Sequence, residues 1–157
     1  MLRRILLLIA CMACSHYTVF TQFSMILVEQ GEFVMGCTPE QKPDCDGDEY
    51  PIHAVSLSTF LIGQYEVTQQ EWENIMGDNP SIYAGCGGNC PVENMDWYST
   101  LVFCNQATLN DPQLGADQLV YFKDEALTTP WSIDHYKGEG DTAGDDVFIA
   151  PGKKGYR

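Results

Sequence analysis

Five cysteines beyond the first 22 residues are the side chains of this sequence best suited to chemistry: Cys37, Cys45, Cys86, Cys90 and Cys104. A cysteine can ligate a metal or attack a substrate as its thiolate, or be consumed in a disulfide. Cys37 and Cys45 bracket a Pro/Asp-rich loop, and Cys86 and Cys90 bracket Gly-Gly-Asn. A zinc site built on Cys86-x3-Cys90 would need a second half-site, and His16, His53 and His135 show no ligand spacing to it. Loop placement outside the cytosol instead predicts bridges Cys37–Cys45 and Cys86–Cys90. Cys104 falls on an apolar helical face and is expected to be a buried free thiol. The run Asp44-Cys45-Asp46-Gly47-Asp48-Glu49 invites a calcium reading. An EF-hand loop starting at Asp44 would need Gly where Glu49 stands and a bidentate Glu where Val55 stands, so a solvated acidic loop is expected. Gly-Cys-Gly-Gly-Asn resembles a phosphate cradle only in its glycines, since neither a basic residue nor a helix start follows. Glu66, Glu71 and Glu93 lie near element ends, where capping or surface roles fit them better than proton transfer. No Ser/His/Asp constellation, P-loop or dinucleotide fingerprint occurs.

The elements that must position these residues centre on residues 65–104. Thr68 and Glu71 have the S/T-x-x-E spacing of a capping box. Trp72, Ile75 and Met76 follow on one helical face, and Gly77 supplies a left-handed stop. Asp96 is the expected N-cap of a second helix whose Trp97, Leu101 and Cys104 share a face. Both helices read as core elements, with Trp72 and Trp97 buried. Residues 25–28 and 31–36 read as short strands around a turn. Val55 and Leu57 alternate with serines, and Phe60-Leu61-Ile62 continues apolar, so a half-buried strand should run into a buried one. Residues 118–122 and 147–149 read as further short strands. The stretch 123–146 lacks periodicity, and Trp131 within it is expected to plug the core under a long loop.

At 157 residues the chain is at most one domain, with the 45% apolar content of a folded protein. The formal charge is −14, and removing Arg3 and Arg4 makes the balance more negative still. Such a surface repels phosphate backbones, so nucleic acid is excluded as a partner. Arg3-Arg4 followed by the short apolar run 5–13 has export chemistry, and residues 1–22 read as a signal peptide. Leu8-Ile9-Ala10-Cys11 resembles a lipobox, which would anchor the chain to a membrane through a lipid on Cys11. The six apolar residues before Cys11 are fewer than usual, which favours ordinary cleavage between Cys14 and Phe23. Either way the expected location is periplasmic or extracellular.

Six segments in order resemble the formylglycine-generating-enzyme family, also called sulfatase-modifying factors. They are Gly31-Glu32-Phe33-Val34-Met35-Gly36, Pro51-x-His53-x-Val55-x-Leu57, Tyr65-Glu66-Val67-Thr68-x-x-x-Trp72, Met76-Gly77-x-Asn79-Pro80-Ser81, Pro91-Val92-Glu93-Asn94-x-x-Trp97 and Phe103-Cys104-Asn105. One alone is weak; six in sequence are specific. Pro130-Trp131-Ser132 resembles a linking segment of bacterial members, and Gly155-Tyr156-Arg157 resembles the opening of the family's Gly-Tyr-Arg-Leu-Pro-Thr-Glu motif.

The resemblance implies a loop-rich α+β fold related to C-type lectins, with two short helices and short strands, here incomplete. Residues 23–157 would be the N-terminal portion of the domain. Members of the family oxidise a sulfatase cysteine to formylglycine with molecular oxygen and copper held by a cysteine pair, with structural calcium nearby. Those ligands lie in the C-terminal half of family members, so neither copper nor calcium is expected in this chain, and no cysteine here takes the copper role. The implied partner of the whole protein is a sulfatase-like protein substrate, while the isolated chain is expected to be inactive and to expose apolar surface and strand edges. The alternative is a non-catalytic, lectin-like binding or scaffold protein, as in gliding-motility lipoproteins.

Overall fold

The computed structural model describes residues 23–137 and 146–157; the leader read at 1–22, with Cys11 and its lipobox, lies outside the described residues. The organising element is helix α2, Trp97–Asn110. Its buried residues, among them Leu101, Val102, Phe103, Asn105, Ala107 and Thr108, are spread around much of the helix rather than along one stripe. A helix apolar on so wide an arc must be surrounded. Helix α1, Gln69–Met76, packs on one side, and α3, Ile133–Lys137, on another. Trp72 of α1 stacks on Phe103 of α2 with centroids 4.8 Å apart and planes 3° apart. Trp131 is buried in the same core.

The caps form as the sequence predicts. Thr68 Oγ1 accepts from the Glu71 amide at 3.2 Å, and Glu71 Oε2 accepts from the Thr68 amide at 2.8 Å. Gly77 ends α1 at φ 86°, a left-handed conformation that carries little cost only for glycine. Asp96 Oδ1 accepts from the Ser99 amide at 2.6 Å and starts α2.

Strands appear only as two-stranded antiparallel ribbons among the described residues. β1, Met25–Val28, pairs with β4, Phe60–Gly63; β2, Gly31–Met35, pairs with β3, His53–Leu57; and β5, Tyr121–Phe122, pairs with β6, Phe148–Ile149.

Four expectations change. Trp97 is 59% exposed, not buried. As the first residue of α2 its Cα–Cβ bond tilts off the helix N-terminus, past the end of the core that Leu101 reaches. The Phe60-Leu61-Ile62 strand is exposed rather than buried, because no element among the described residues covers β1 and β4. The strand expected at 118–122 shrinks to Tyr121–Phe122. The Val120 and Tyr121 amides bond instead to the Asn105 side chain, and residues Ala116–Gln118 form a 3-10 turn. A third helix, α3, also lies inside the aperiodic stretch. Its five residues are too few to show a helical period, and burial against α2 sustains it.

Candidate functional site

The structure joins Cys37 to Cys45 and Cys86 to Cys90, with Cα separations of 5.6 Å and 6.1 Å. The second bridge closes the loop that feeds α1. The Gln69 amide donates to the Cys90 carbonyl at 2.8 Å and the Gln70 amide to the Gly88 carbonyl at 2.9 Å. These are first-turn amides with no partner inside the helix, so the stapled loop completes the end of α1. Gly88 thus offers its carbonyl as an acceptor to the helix rather than its amide to a phosphate. Tyr50 Oη donates to Cys37 Sγ at 3.1 Å and ties the first bridge to its own loop.

A metal needs more than proximity. Cys37 Sγ, Cys45 Sγ and a Glu49 carboxylate oxygen lie within 4.8 Å of one another. Both sulfurs are spent in a disulfide and offer no thiolate. The free cysteine of the described residues is Cys104, partly buried. Burial pushes its pKa up to about 11, so near neutrality it is a protonated, weakly reactive thiol. A copper centre built on two thiolates therefore does not fit the described residues. No three carboxylates converge among them into a calcium cage either.

Cys104 instead belongs to the wall of an open cleft of about 950 Å³ between the β1–β4 ribbon and helices α1 and α2. Trp72, Phe103 and Val67 line its inner part, and Leu61, Ile62 and Tyr65 its outer part. Thr68 and Glu71 also face it, but their polar groups are engaged in the cap of α1. Arg157 lies at the cleft. The volume is within the range of small-molecule and peptide pockets, and the chemistry is apolar. Such a wall can desolvate and hold hydrophobic side chains, and the Thr68 hydroxyl that donates to the Glu71 carboxylate at 2.8 Å within it belongs to the cap of α1. Among the residues singled out by sequence, Thr68, Glu71 and Trp72 gather here, whereas Trp97 is absent from this wall.

A smaller cleft of about 500 Å³ contains Asp78, Asn94, Asp96 and Tyr136. Its carboxylates have structural partners. Asp96 caps α2, and Tyr136 Oη donates to Asp78 Oδ1 at 2.7 Å. Partial burial and the Asp78 carboxylate push the Tyr136 hydroxyl up to about 12.

Two positioning residues escaped the sequence reading. Asn105, 1% exposed, donates to the Tyr121 and Trp131 carbonyls, both at 2.8 Å, and accepts from the Val120 and Tyr121 amides, both at 3.2 Å. Residue order marks it only weakly, because Gln106 and Asn110 are further amides in the same helix. Gly155 stands out in residue order only as part of the Gly155-Tyr156-Arg157 segment. A Cβ there would collide with the Gln118 carbonyl and with the Thr108 side chain. That close approach lets the Tyr156 amide reach Thr108 Oγ1 at 2.9 Å and Tyr156 Oη reach Asp111 Oδ2 at 2.8 Å.

Comparison with known proteins adds to this geometry. A family model described as a sulfatase-modifying factor enzyme 1-like domain matches residues 13–113. A Paenibacillus barcinonensis protein named Chaperone protein LppX is 33% identical over 148 residues, an alignment that takes in 94% of this chain and 45% of the relative. Among solved structures, Treponema denticola variable protein 1 superposes with a TM-score of 0.64 at 29% identity, covering 90% of this chain and 51% of that one. The chain spans about half the length of the relatives it matches.

Proposed function

The chain belongs to the family of sulfatase-modifying factor enzyme 1-like domains, and from that premise we propose that it is an exported module that binds other exported polypeptides, without carrying the family's oxidation chemistry itself. The observation that carries this reading is the open cleft walled by Trp72, Phe103, Leu61 and Ile62 beside a thiol, Cys104, that is protonated near neutrality. Apolar walls of this size hold hydrophobic segments. Oxidation of a substrate cysteine by copper and oxygen would need a thiolate pair, and the described residues offer none. In this reading copper and calcium are assigned to none of the described residues.

Three further points support the reading. The relative from Paenibacillus barcinonensis bears the name of a chaperone, which suits a module that handles polypeptides. The bridges Cys37–Cys45 and Cys86–Cys90 suit an oxidising compartment, in line with the export chemistry of residues 1–22. The acidic surface suits protein partners and opposes nucleic acid. A sulfatase or a protein of similar kind is the expected client.

Two assays on the purified chain test this. Light scattering from a thermally unfolded exported sulfatase should fall when an equimolar amount of the chain is added; unchanged aggregation overturns the binding reading. A cysteine peptide taken from a sulfatase, incubated with the chain, copper and air, should keep its thiol mass. Formylglycine in the spectrum would move the oxidation chemistry into this chain.

A further inference from the structure

We propose that the Cys37–Cys45 bridge is a thiol–disulfide exchange centre, with Glu49 as its proton carrier and a cysteine pair of an exported polypeptide as its substrate. The two bridges of this chain are built differently. The Cys86–Cys90 loop lends backbone carbonyls to α1. At Cys37–Cys45 titratable side chains gather instead. A Glu49 carboxylate oxygen lies within 4.8 Å of both sulfurs, and Tyr50 Oη donates to Cys37 Sγ at 3.1 Å. The backbone holds Glu49 in place, since the Cys37 amide donates to the Glu49 carbonyl at 3.2 Å. Gly36 makes room for that carbonyl, which a Cβ would strike. Oε2 of Glu49 is shielded from solvent and accepts no hydrogen bond from the described residues. A shielded carboxylate oxygen without a donor is unfavourable to keep. Beside two sulfurs it is placed to take a proton when a thiol arrives and to give one when the bridge opens. All of these groups belong to residues 36–50, so no segment from outside that one loop is needed to build the arrangement.

The two sulfurs are unequal. Cys37 is 1% exposed, whereas Cys45 is partly exposed. Cys45 Sγ is therefore the atom attacked and Cys37 the leaving group. The nucleophile in exchange is a thiolate, and Asp44, Asp46 and Asp48 beside Cys45 disfavour one. An incoming thiol must lose its proton as it attacks, and Glu49 is the acceptor. A bond forms between the client sulfur and Cys45 Sγ, and the Cys37–Cys45 bond breaks. Its electron pair goes to Cys37 Sγ, where the Tyr50 hydroxyl stabilises the charge until Glu49 returns the proton. The client's second thiol then attacks the client sulfur of the mixed disulfide, closes the client's own bridge and releases Cys45, which takes the second proton. Two electrons pass from the client pair to the bridge, and the two client protons end on Cys37 and Cys45. A client with a single thiol is expelled again when Cys37 attacks back, so it leaves unchanged.

The test uses the whole chain with both bridges closed. Opening by dithiothreitol near neutral pH is followed by alkylation and peptide mapping. Cys37–Cys45 should open about tenfold or more faster than Cys86–Cys90. Glu49→Gln should slow the first bridge by a similar factor and leave the second unchanged. It should also steepen the rise of the first rate with pH, because the thiol must then be deprotonated by solvent before it attacks. A carboxylate acting only through its charge would repel the incoming thiolate, and its removal would speed the opening instead. A synthetic peptide with two cysteines, in excess, should leave cyclised and lighter by two hydrogens, with Cys37 and Cys45 recovered as thiols. Equal opening of the two bridges, a Glu49→Gln chain that opens as fast or faster, or a peptide that keeps both thiols each overturns the proposal. The comparison of the two bridges needs no variant, so it decides even where Glu49→Gln misfolds. The aggregation assay judges the cleft separately, and neither result stands in for the other.

Discussion

Asn105 is where single side chains matter most. Its amide satisfies two carbonyls and two amides of the segments around Val120, Tyr121 and Trp131. Asn105→Ala would leave several of those buried groups without partners, at a cost of roughly 3 kcal/mol or more. The measurement is a urea melt, in which the midpoint should fall sharply while Trp131 emission shifts to the red. Cys104 makes a second prediction at this scale. With a pKa raised to about 11 by burial, its thiolate is about a thousandth of the total at pH 8. Alkylation of the native chain at that pH should be slow, should accelerate with rising pH towards 11, and should become fast in denaturant. Peptide mapping without reductant should find Cys104 alkylated and the other four described cysteines linked. Asp124 gives a pH prediction. The hydrogen bond from the Thr128 amide, with others from Thr128 and Thr129, holds its carboxyl below the usual value of 3.8. A depressed carboxylate pKa stabilises the turn above the unfolded value and ceases to do so as pH falls through the folded one. Hydrogen-exchange protection at Thr128 and Thr129 should therefore be full near neutrality and decline below pH 3.8, and Asp124→Asn should lower it at every pH.

At the scale of elements, α1 is an eight-residue helix that cannot stand on propensity alone. Its start is fixed by the Thr68–Glu71 box and by the Cys86–Cys90 loop, whose carbonyls take the next two amides. Its stop is fixed by Gly77. Thr68→Ala should cost about 1 kcal/mol, read as a lower thermal midpoint with the same unfolding cooperativity. All three devices are local, which is why they could be read directly from residue order. α2 shows the opposite case. Its N-cap was legible from Asp96, but which face it buries was not, because it is enclosed by α1, α3 and the Tyr121 and Trp131 segments together. The Trp97, Leu101, Cys104 spacing is a true helical face, yet the helix end carries Trp97 beyond the core. β5 could not be sized from sequence either, since the amides before it are claimed by a side chain fifteen or so residues away.

For the molecule as a whole, two properties pull in opposite directions. Large apolar side chains are exposed on the β1–β4 and β2–β3 ribbons, while the charge of −14 keeps copies apart near neutral pH. As pH falls towards the pI of about 4.2, the repulsion vanishes and the apolar surface remains. Turbidity of the chain should therefore peak near that pH, and Leu27→Lys/Leu61→Lys should reduce the peak height. A flat turbidity profile would show that the exposed ribbons do not associate.

By itself the sequence determined the family, the loop-rich α+β class, the caps of both longer helices and the grouping of cysteines into two loops with one left over. Each of these depends on neighbours within a few residues or on an ordered set of motifs, so no distant contact is needed to read it. Only the tertiary structure decided what those elements face. It turned Trp97 outward, buried Asn105 as a four-bond tie, pressed Gly155 against Thr108, and left the Phe60-Leu61-Ile62 strand exposed among the described residues. Burial is a relation between segments far apart in the chain, and hydrophobicity records only that a surface is fit to be covered, not what covers it.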